Sequence, residues 1–264
     1  MWLLPVCASA QRIEGRVTTA EGTALSFVNI GVLSNTRGTV SDEEGYFQLQ
    51  LDDMAGGDTL RFSLIGYESY DIGVAAARRQ SAPLAIPLKA IAYDLAEVVV
   101  VPRKVREKVL GNRVSSKFAQ GGFGNNELGH EIGVLMKVKG RPTWLEEVYL
   151  NIARCEYDSI FYRLNIYRVA DKYPRETLLQ TPIYLQYSQA EALGGELVVD
   201  LRPYQLYTEE DFVVSLEIVK DLGQGGLYLR AALRNKSYFR YTSQSSWTKI
   251  PVGLGIATKV QQQR

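Results

Sequence analysis

RIEGRV at residues 12–17 is followed in order by SDEEGYFQL at 41–49 and LRFSLIGY at 60–67, and these three segments carry the clearest strand pattern of the chain. In the first segment Ile13, Gly15 and Val17 alternate with charged residues, which is the period of a strand with one buried and one wet face. The second and third segments show the same alternation and are separated from the first by turn-forming residues. Together they predict a small β-sandwich.

The segment Asp42-Glu43-Glu44-Gly45 predicts a tight turn between two strands. The Asp42 carboxylate can accept hydrogen bonds from backbone groups of its own turn, and Gly45 can adopt a positive φ. A calcium site on the same acids is the alternative, but an EF-hand-like loop needs several alternating acids and a distal Glu. We therefore interpret Asp42 as a turn residue.

The remaining predicted strands of the first half are 27–32, 60–64, 67–74, 84–88 and 95–101. Pro83 and Pro87 place the strand at 84–88 on a sheet edge, and residues 75–79 form a connection.

Residues 11–101 resemble the carboxypeptidase regulatory-domain-like family, a transthyretin-like seven-stranded sandwich at the N-terminus of many TonB-dependent receptors. The resemblance implies an accessory module of the cell envelope, without the zinc-binding catalytic domain of carboxypeptidases. About 160 residues follow, too few for the barrel of such a receptor.

The second half is predicted to be another β-sandwich, of jelly-roll-like form. Its predicted strands are 131–138, 145–152, 161–169, 196–201, 211–219 and 226–233. Glycine-rich turns separate these strands, and the half loosely resembles a sandwich of uncharacterised envelope proteins. The predicted organisation is all-β, with a signal-peptide remnant at 1–10, the regulatory-like sandwich at 11–101, a polar linker at 102–130 and a second sandwich at 131–264.

Residues 1–10 read MWLLPVCASA, an apolar run that ends in the small residues Ala8, Ser9 and Ala10. This pattern predicts the tail of a signal peptide, although a basic n-region is missing and the true start can lie upstream of Met1. A disordered or core-docked N-terminus is the alternative. Cleavage before Gln11 would leave Cys155 as the single cysteine, without an intramolecular disulfide. No later window approaches the roughly 18–20 apolar residues of a membrane helix, so we expect an exported protein of the periplasm, free or associated with the outer membrane.

Charge and composition argue against nucleic-acid binding and against catalysis. The 30 basic and 29 acidic residues nearly cancel, whereas a nucleic-acid binder carries a basic excess or stripe. His130 is the only histidine, and a zinc protease helix needs two. No Gly-x-Ser-x-Gly elbow is present, and a nucleophile–base pair of Cys155 with His130 is the remaining alternative. We interpret His130 as a strand-entry or surface residue and predict no enzyme, no metal and no cofactor.

Aromatic residues are the remaining signal, because twelve of the sixteen tyrosines lie beyond residue 130, with Trp144 and Trp247. Flat aromatic faces can stack on sugar rings, but β propensity and core packing explain such residues equally simply. If a glycan site exists, its candidates near strand ends and turns are Trp144, Tyr173, Tyr184, Tyr187, Tyr204 and Tyr207. We expect a non-catalytic structural or protein-interaction module; the alternative is a carbohydrate-binding accessory protein. The partner is then an envelope protein or a glycan.

Overall fold

The computed structural model describes residues 12–52, 54–80, 83–92, 104–114, 118–233 and 236–263. Strands dominate this part of the chain and confirm the predicted all-β class. Its two α-helices have six and five residues, and no helix here is long and apolar enough to cross a bilayer. The predicted signal-peptide remnant at 1–10 and the predicted closing strand at 95–101 lie outside the described residues.

The first module is a seven-stranded sandwich, as the resemblance implied. Its strands are β1 Arg12–Thr19, β2 Asn29–Val32, β3 Gly38–Val40, β4 Tyr46–Gln50, β5 Thr59–Ser63, β6 Tyr70–Gly73 and β7 Leu84–Leu88. They form a three-stranded sheet in the order β4-β1-β7 and a four-stranded sheet in the order β3-β2-β5-β6. β7 pairs in parallel with β1 and has no second neighbour among the described strands, which confirms that Pro87 lies on an edge.

Two local features of this module follow from its residues. Asp42 Oδ1 accepts hydrogen bonds from the backbone N–H groups of Glu44 (3.1 Å) and Tyr46 (2.7 Å), and Gly45 has φ +82°. The turn interpretation of Asp42 is therefore confirmed. The predicted plain connection at 75–79 is instead part of a helix, α1 Val74–Arg79, because alanine and arginine are strong helix formers.

The second sandwich contains fifteen strands among the described residues. They are β8 Val105–Gly111, β9 Gln120–Phe123, β10 Glu131–Met136, β11 Thr143–Cys155, β12 Ser159–Ala170, β13 Tyr173–Thr177, β14 Ile183–Ser188, β15 Glu196–Asp200, β16 Tyr207–Thr208, β17 Phe212–Ile218, β18 Leu227–Ala232, β19 Ser237–Arg240, β20 Thr248–Ile250, β21 Gly253–Leu254 and β22 Ile256–Gln263. A short helix, α2 Gln189–Leu193, and a 3-10 turn at Arg202–Tyr204 complete the elements. All six strands predicted for this half are present, with slightly different ends.

These strands form two large sheets. The seven-stranded sheet has the order β13-β12-β17-β10-β19-β20, with β14 also paired to β12. The eight-stranded sheet has the order β21-β18-β11-β22-β8, with β15 and β16 also paired to β11 and β9 to β18. The predicted linker at 102–130 is wrong over much of its length, because β8 pairs with β22 and β9 with β18. Sheet edges accept such strands even where their residues are polar, since only one face needs burial.

Each sandwich has its own apolar core. Phe47, Leu60 and Phe62 belong to the core of the first module, whereas Phe123, Leu164 and Leu216 belong to that of the second. A third, small cluster of Phe27, Val40 and Val219 takes residues from both halves. The two sandwiches therefore contact each other.

Candidate functional site at the interface of the two sandwiches

The outer face of the seven-stranded sheet is buried at its centre, although it carries charged side chains there. On β12, Tyr162, Leu164 and Ile166 belong to the apolar core. Because side chains alternate along a strand, Arg163 and Asn165 point to the opposite face, yet both are only 1% exposed. The first module covers this face with the outward side of β2, so the strand is buried on both sides.

Arg163 makes hydrogen bonds to both modules. Its guanidinium donates to the Phe27 carbonyl (2.8 Å) and to Asn29 Oδ1 (2.6 Å), both in the first module. Within the second sandwich, Nε and Nη2 donate to Glu217 Oε2 at 3.0 and 2.8 Å. The planar fork of arginine suits such a multiple contact. One side chain thus satisfies acceptors on both sides of the interface.

A second ion pair lies beside the first on the same face. Glu131, at the start of β10, is fully buried. Its Oε2 accepts from Arg240 Nε at 2.8 Å, and its Oε1 accepts from Asn165 Nδ2 at 2.8 Å and Ser215 Oγ at 2.5 Å. Asn165 also donates to Glu217 at 2.7 Å, which links the two pairs into one network. We call this set of Glu131, Arg163, Asn165, Ser215, Glu217 and Arg240 the interface network.

The electrostatics of the network depend on its burial. Burial raises the pKa of the Glu217 carboxyl, and Arg163 opposes that shift. Glu217 Oε1 is also buried without a hydrogen-bond partner among the described residues. For Arg163 burial acts to lower the pKa, but the attraction and hydrogen bonding of Glu217, together with the nearby Tyr184 and Tyr167, make the net shift upward. Two arginines balance two glutamates, so removal of a single member would leave a buried charge without its partner.

The approach of the two modules is close around the loop that follows β19. A Cβ on Gly31 would lie 3.0 Å from Gln244 Cβ, and one on Gly38 would lie 2.9 Å from Thr242 Cβ. The Gln244 side-chain amide donates to Ser63 Oγ at 2.8 Å, and the Gln244 backbone carbonyl accepts from the Ser34 backbone N–H at 3.1 Å. Glycine therefore sits at these two positions because any larger residue would push the modules apart.

A groove runs along one side of this interface. One part has a volume of about 830 Å³ and is floored by the apolar side chains of Phe27, Val40, Leu128 and Val219. A neighbouring part of about 510 Å³ lies between β3, β4 and residues 126–128. Both parts are lined by Thr39, Gln48, Leu128 and Asp221, so they form one continuous surface, which we call the interface groove.

The ends and rim of the interface groove are polar and aromatic. Tyr46 lines one part and Tyr241 the other, and they are 52% and 50% exposed. Glu43 and Lys220 form an ion pair across the modules at its rim. That pair is half exposed, so it adds at most about 1 kcal/mol to the interface. The buried network, and not this rim pair, holds the groove in place.

Strand β4 presents an unpaired backbone edge to the interface groove. The Tyr46 N–H and C=O bond to Asp42 and not to β1, so the backbone groups of Gln48 and Gln50 also point away from β1. No strand among the described residues pairs with this edge. Gln48 and Gln50 both line the groove. The site therefore offers hydrogen-bonding groups in a row.

The structure separates the six aromatic residues that were predicted as glycan candidates. Trp144 and Tyr207 are cross-strand neighbours on β11 and β16, with ring centroids 5.2 Å apart, and Tyr204 lies in the 3-10 turn just before Tyr207. Tyr184 stacks on Phe161 at 5.4 Å and contacts Phe27 at the interface. Tyr173 packs against Tyr238, and Tyr187 against the core. The six residues do not form one site.

His130 and Cys155 have separate surroundings. His130 directly precedes β10, which confirms a strand-entry position, and its ring is in aromatic contact with Phe123 and Tyr241. The Cys155 thiol donates to the Tyr157 carbonyl at 3.4 Å, and burial raises its pKa. A raised thiol pKa disfavours the reactive thiolate. Among the described residues, no three His, Cys, Asp or Glu side chains gather as metal ligands.

We expect His130 to make folding stability depend on pH. Burial lowers its pKa below the ordinary value of 6.5, so between the folded and unfolded pKa values the unfolded chain binds more protons. Stability must then fall as pH decreases through this window. His130→Phe keeps an aromatic ring and should flatten the decline between pH 7 and 5.5. Urea unfolding at several pH values measures this; an unchanged slope in the variant would contradict the assignment.

No residue of the interface network is among the candidate functional residues predicted from the sequence. The signal that was available is β17, which reads FVVSLEI and is apolar at five of seven positions. Such a nearly continuous run is typical of a strand buried on both faces. It indicates that something covers the outer face, but not which module does so.

The three-stranded and four-stranded sheets define the first module as a small all-β sandwich. Residues 13–100 match the model of the CarboxypepD_reg-like domain. This part of the chain is therefore similar to the CarboxypepD_reg-like domain, a regulatory, binding-type β-sandwich. Among curated proteins, no relative matches the chain.

Several solved structures match the chain at low similarity. A proposed carbohydrate-binding protein of Bacteroides uniformis is 12% identical, with 91% of this chain and 96% of that chain covered and a TM-score of 0.21. The Gt strain of infectious bursal disease virus gives 10% identity, coverage of 95% and 63%, and a TM-score of 0.28. A variant of BcpA, the major pilin subunit of Bacillus cereus, is 9% identical to this chain, with 90% of this chain and 66% of that chain covered and a TM-score of 0.20. Scores this low carry no argument about function.

Proposed function

We propose that this protein is a non-catalytic interaction module of the cell envelope that binds an extended polypeptide segment in the interface groove. The observation that carries the proposal is the open edge of β4, whose Gln48 and Gln50 backbone groups face the groove. An extended segment can add to such an edge as a further strand, with main-chain hydrogen bonds for affinity and pockets for alternate side chains.

The surroundings of the edge suit this mode of binding. The apolar floor of Phe27, Val40 and Val219 lies beside the edge and can take apolar side chains of the added strand. Acidic and basic groups at the rim, such as Glu43, Asp221 and Lys220, can favour peptides whose charged side chains are of opposite sign at these positions. Aromatic and apolar anchors surrounded by a polar rim are the usual anatomy of a protein-binding site.

Phage-displayed random peptides provide a probe for this proposal. Gln48 directs its N–H away from β1, so Gln48→Pro removes a donor from the edge without removing a bond of the β1–β4 ladder. Peptides selected on the full chain should bind Gln48→Ala as they bind the wild type, and Gln48→Pro at least about tenfold more weakly, the effect of losing about 1.4 kcal/mol. Circular dichroism checks that both variants are folded. Equal binding to both variants would remove the strand-addition mechanism.

Carbohydrate binding is the second candidate function, and a different surface favours it. On the outer face of the eight-stranded sheet, Trp144 and Tyr207 lie side by side, and the Tyr207 hydroxyl donates to the Glu209 carboxylate. Aromatic rings beside a carboxylate can stack on a sugar and bond its hydroxyls. On a glycan array, Trp144→Ala should abolish this binding, whereas Gln48→Pro should leave it intact. A glycan signal that survives Trp144→Ala would exclude this surface.

The location in the envelope rests on the small-residue pattern at Ala8 to Ala10, which fits a signal-peptide cleavage site. We expect the mature native protein to begin at Gln11 and to occur in the periplasmic or outer-membrane fraction. N-terminal sequencing of protein purified from its natural source measures this directly. An intact Met1 on protein from the cytosol would contradict the proposed location.

A further inference from the structure

A second cavity, on the second sandwich alone, combines apolar walls with positive charge. It has a volume of about 550 Å³ and lies between β8, β10 and the β19–β20 hairpin. Val109, Leu135 and Tyr238 contribute apolar surface, and Lys137, Lys236 and Lys249 contribute three ammonium groups. The volume falls within the roughly 300–1,000 Å³ of small-molecule pockets. We call this cavity the lysine pocket.

The charges of the lysine pocket are not balanced by acids. None of its three lysines forms an ion pair with a described residue, whereas Lys89, Arg154 and Arg175 on the surface each have a carboxylate partner. Lys249 Nζ instead lies 4.6 Å from the ring centroid of Tyr173 and 5.5 Å from that of Tyr238. Cation–π contacts of this kind hold the ammonium group in place without neutralising it.

The positive field extends along β8 beyond the lysine pocket. Lys108 on β8 has a lowered pKa, caused by burial and by the nearby cations Arg106, Arg141 and Lys139. Like charges that crowd together cost free energy unless an anion joins them. Val109 lines the lysine pocket itself and is 45% exposed, so apolar surface is open to solvent there. Positive charge from the three lysines and exposed apolar surface from Val109 therefore meet in one concave site.

We propose that the lysine pocket binds a single-chain anionic amphiphile, a molecule with a carboxylate or phosphate head and an apolar tail. The three lysines bind the head by charge-assisted hydrogen bonds, and the tail covers Val109 and Leu135. The occupant is a single free molecule and not a bilayer surface, because the lysines surround a concave cavity of limited volume. This site is separate from the interface groove and does not depend on the proposed function.

Isothermal titration calorimetry of the full chain with monomeric dodecyl phosphate tests this proposal. We expect one molecule to bind per chain, and the triple variant Lys137→Gln, Lys236→Gln and Lys249→Gln to bind at least about tenfold more weakly. The matched control Lys89→Gln, Arg154→Gln and Arg175→Gln removes the same charge elsewhere and should change affinity less than twofold. Val109→Ser should weaken binding of dodecyl phosphate, and inorganic phosphate alone should bind at least tenfold more weakly.

Three outcomes would overturn the lysine-pocket proposal. Equal losses in the two triple variants would show that net charge alone attracts the probe. Dodecyltrimethylammonium bound as tightly as dodecyl phosphate would show that only the apolar surface matters. Binding to phosphatidylglycerol vesicles without binding to monomeric dodecyl phosphate would make this a membrane-facing surface. The lysines at 137 and 236 are exposed, so the variants should fold, and circular dichroism checks this.

Discussion

Arg163→Met is expected to lower the free energy of unfolding by about 3–5 kcal/mol, the usual cost of leaving a buried charge without its partner. Methionine fills much of the same volume but cannot neutralise Glu217, which is fully buried. The substitution also leaves the Phe27 carbonyl and the Asn29 side chain without the donor that crosses the interface. Urea unfolding of the full chain at pH 7 measures the effect.

The control for this prediction is Arg154→Met, which breaks the exposed ion pair with Glu156. Exposed pairs of this kind contribute about 0–1 kcal/mol, so the control should remain close to wild type. The double variant Arg163→Met with Glu217→Leu removes both charges and should recover part of the loss, since buried pairs can often be replaced by apolar residues. A loss below about 1 kcal/mol for Arg163→Met would mean that the network does not stabilise the chain.

Glu131→Leu is expected to cost a similar amount, about 3–5 kcal/mol. Both oxygens of Glu131 accept hydrogen bonds from buried groups, and Arg240 would lose its only carboxylate partner among the described residues. Unlike those of Arg163, the hydrogen bonds and the ion pair of Glu131 within the described part of the chain are all made to residues of the second sandwich. Its replacement therefore tests the network within the second sandwich alone.

Thermal unfolding followed by circular dichroism compares Glu131→Leu with the surface control Glu156→Leu. The first variant should melt several degrees lower than wild type, because about 1 kcal/mol shifts the melting temperature of domains of 150–250 residues by roughly 2–4 °C. The melting temperature of the control should differ from that of the wild type by less than about 2 °C. If both variants melted alike, burial would not be what makes Glu131 important.

The sequence predicted the elements better than it predicted their arrangement. Alternation along β1, β4 and β5 and the turn at Asp42 are local signals, and the structure confirms them. β8 and β9 were missed because they pair at sheet positions that accept polar or glycine-rich residues. Local periodicity carries no information about which strand will receive such a segment as its neighbour.

The candidate site could not be predicted for a related reason. Arg163, Asn165 and Glu217 occupy positions that alternate with apolar residues, a pattern that ordinarily indicates a solvated face. Their burial results from the docking of a second module, and that contact joins residues more than a hundred positions apart. The aromatic residues chosen from the sequence do occur near strand ends, but folding distributes them over several surfaces.

Peptide binding at the open edge of β4 can be observed by amide hydrogen exchange of the full chain, followed residue by residue by NMR with and without a peptide selected from the phage library. The Gln48 and Gln50 amides should exchange markedly more slowly when the peptide is bound, because each would donate to an added strand. Unchanged exchange at both amides under saturating peptide, with protection elsewhere, would show that the peptide does not add to β4.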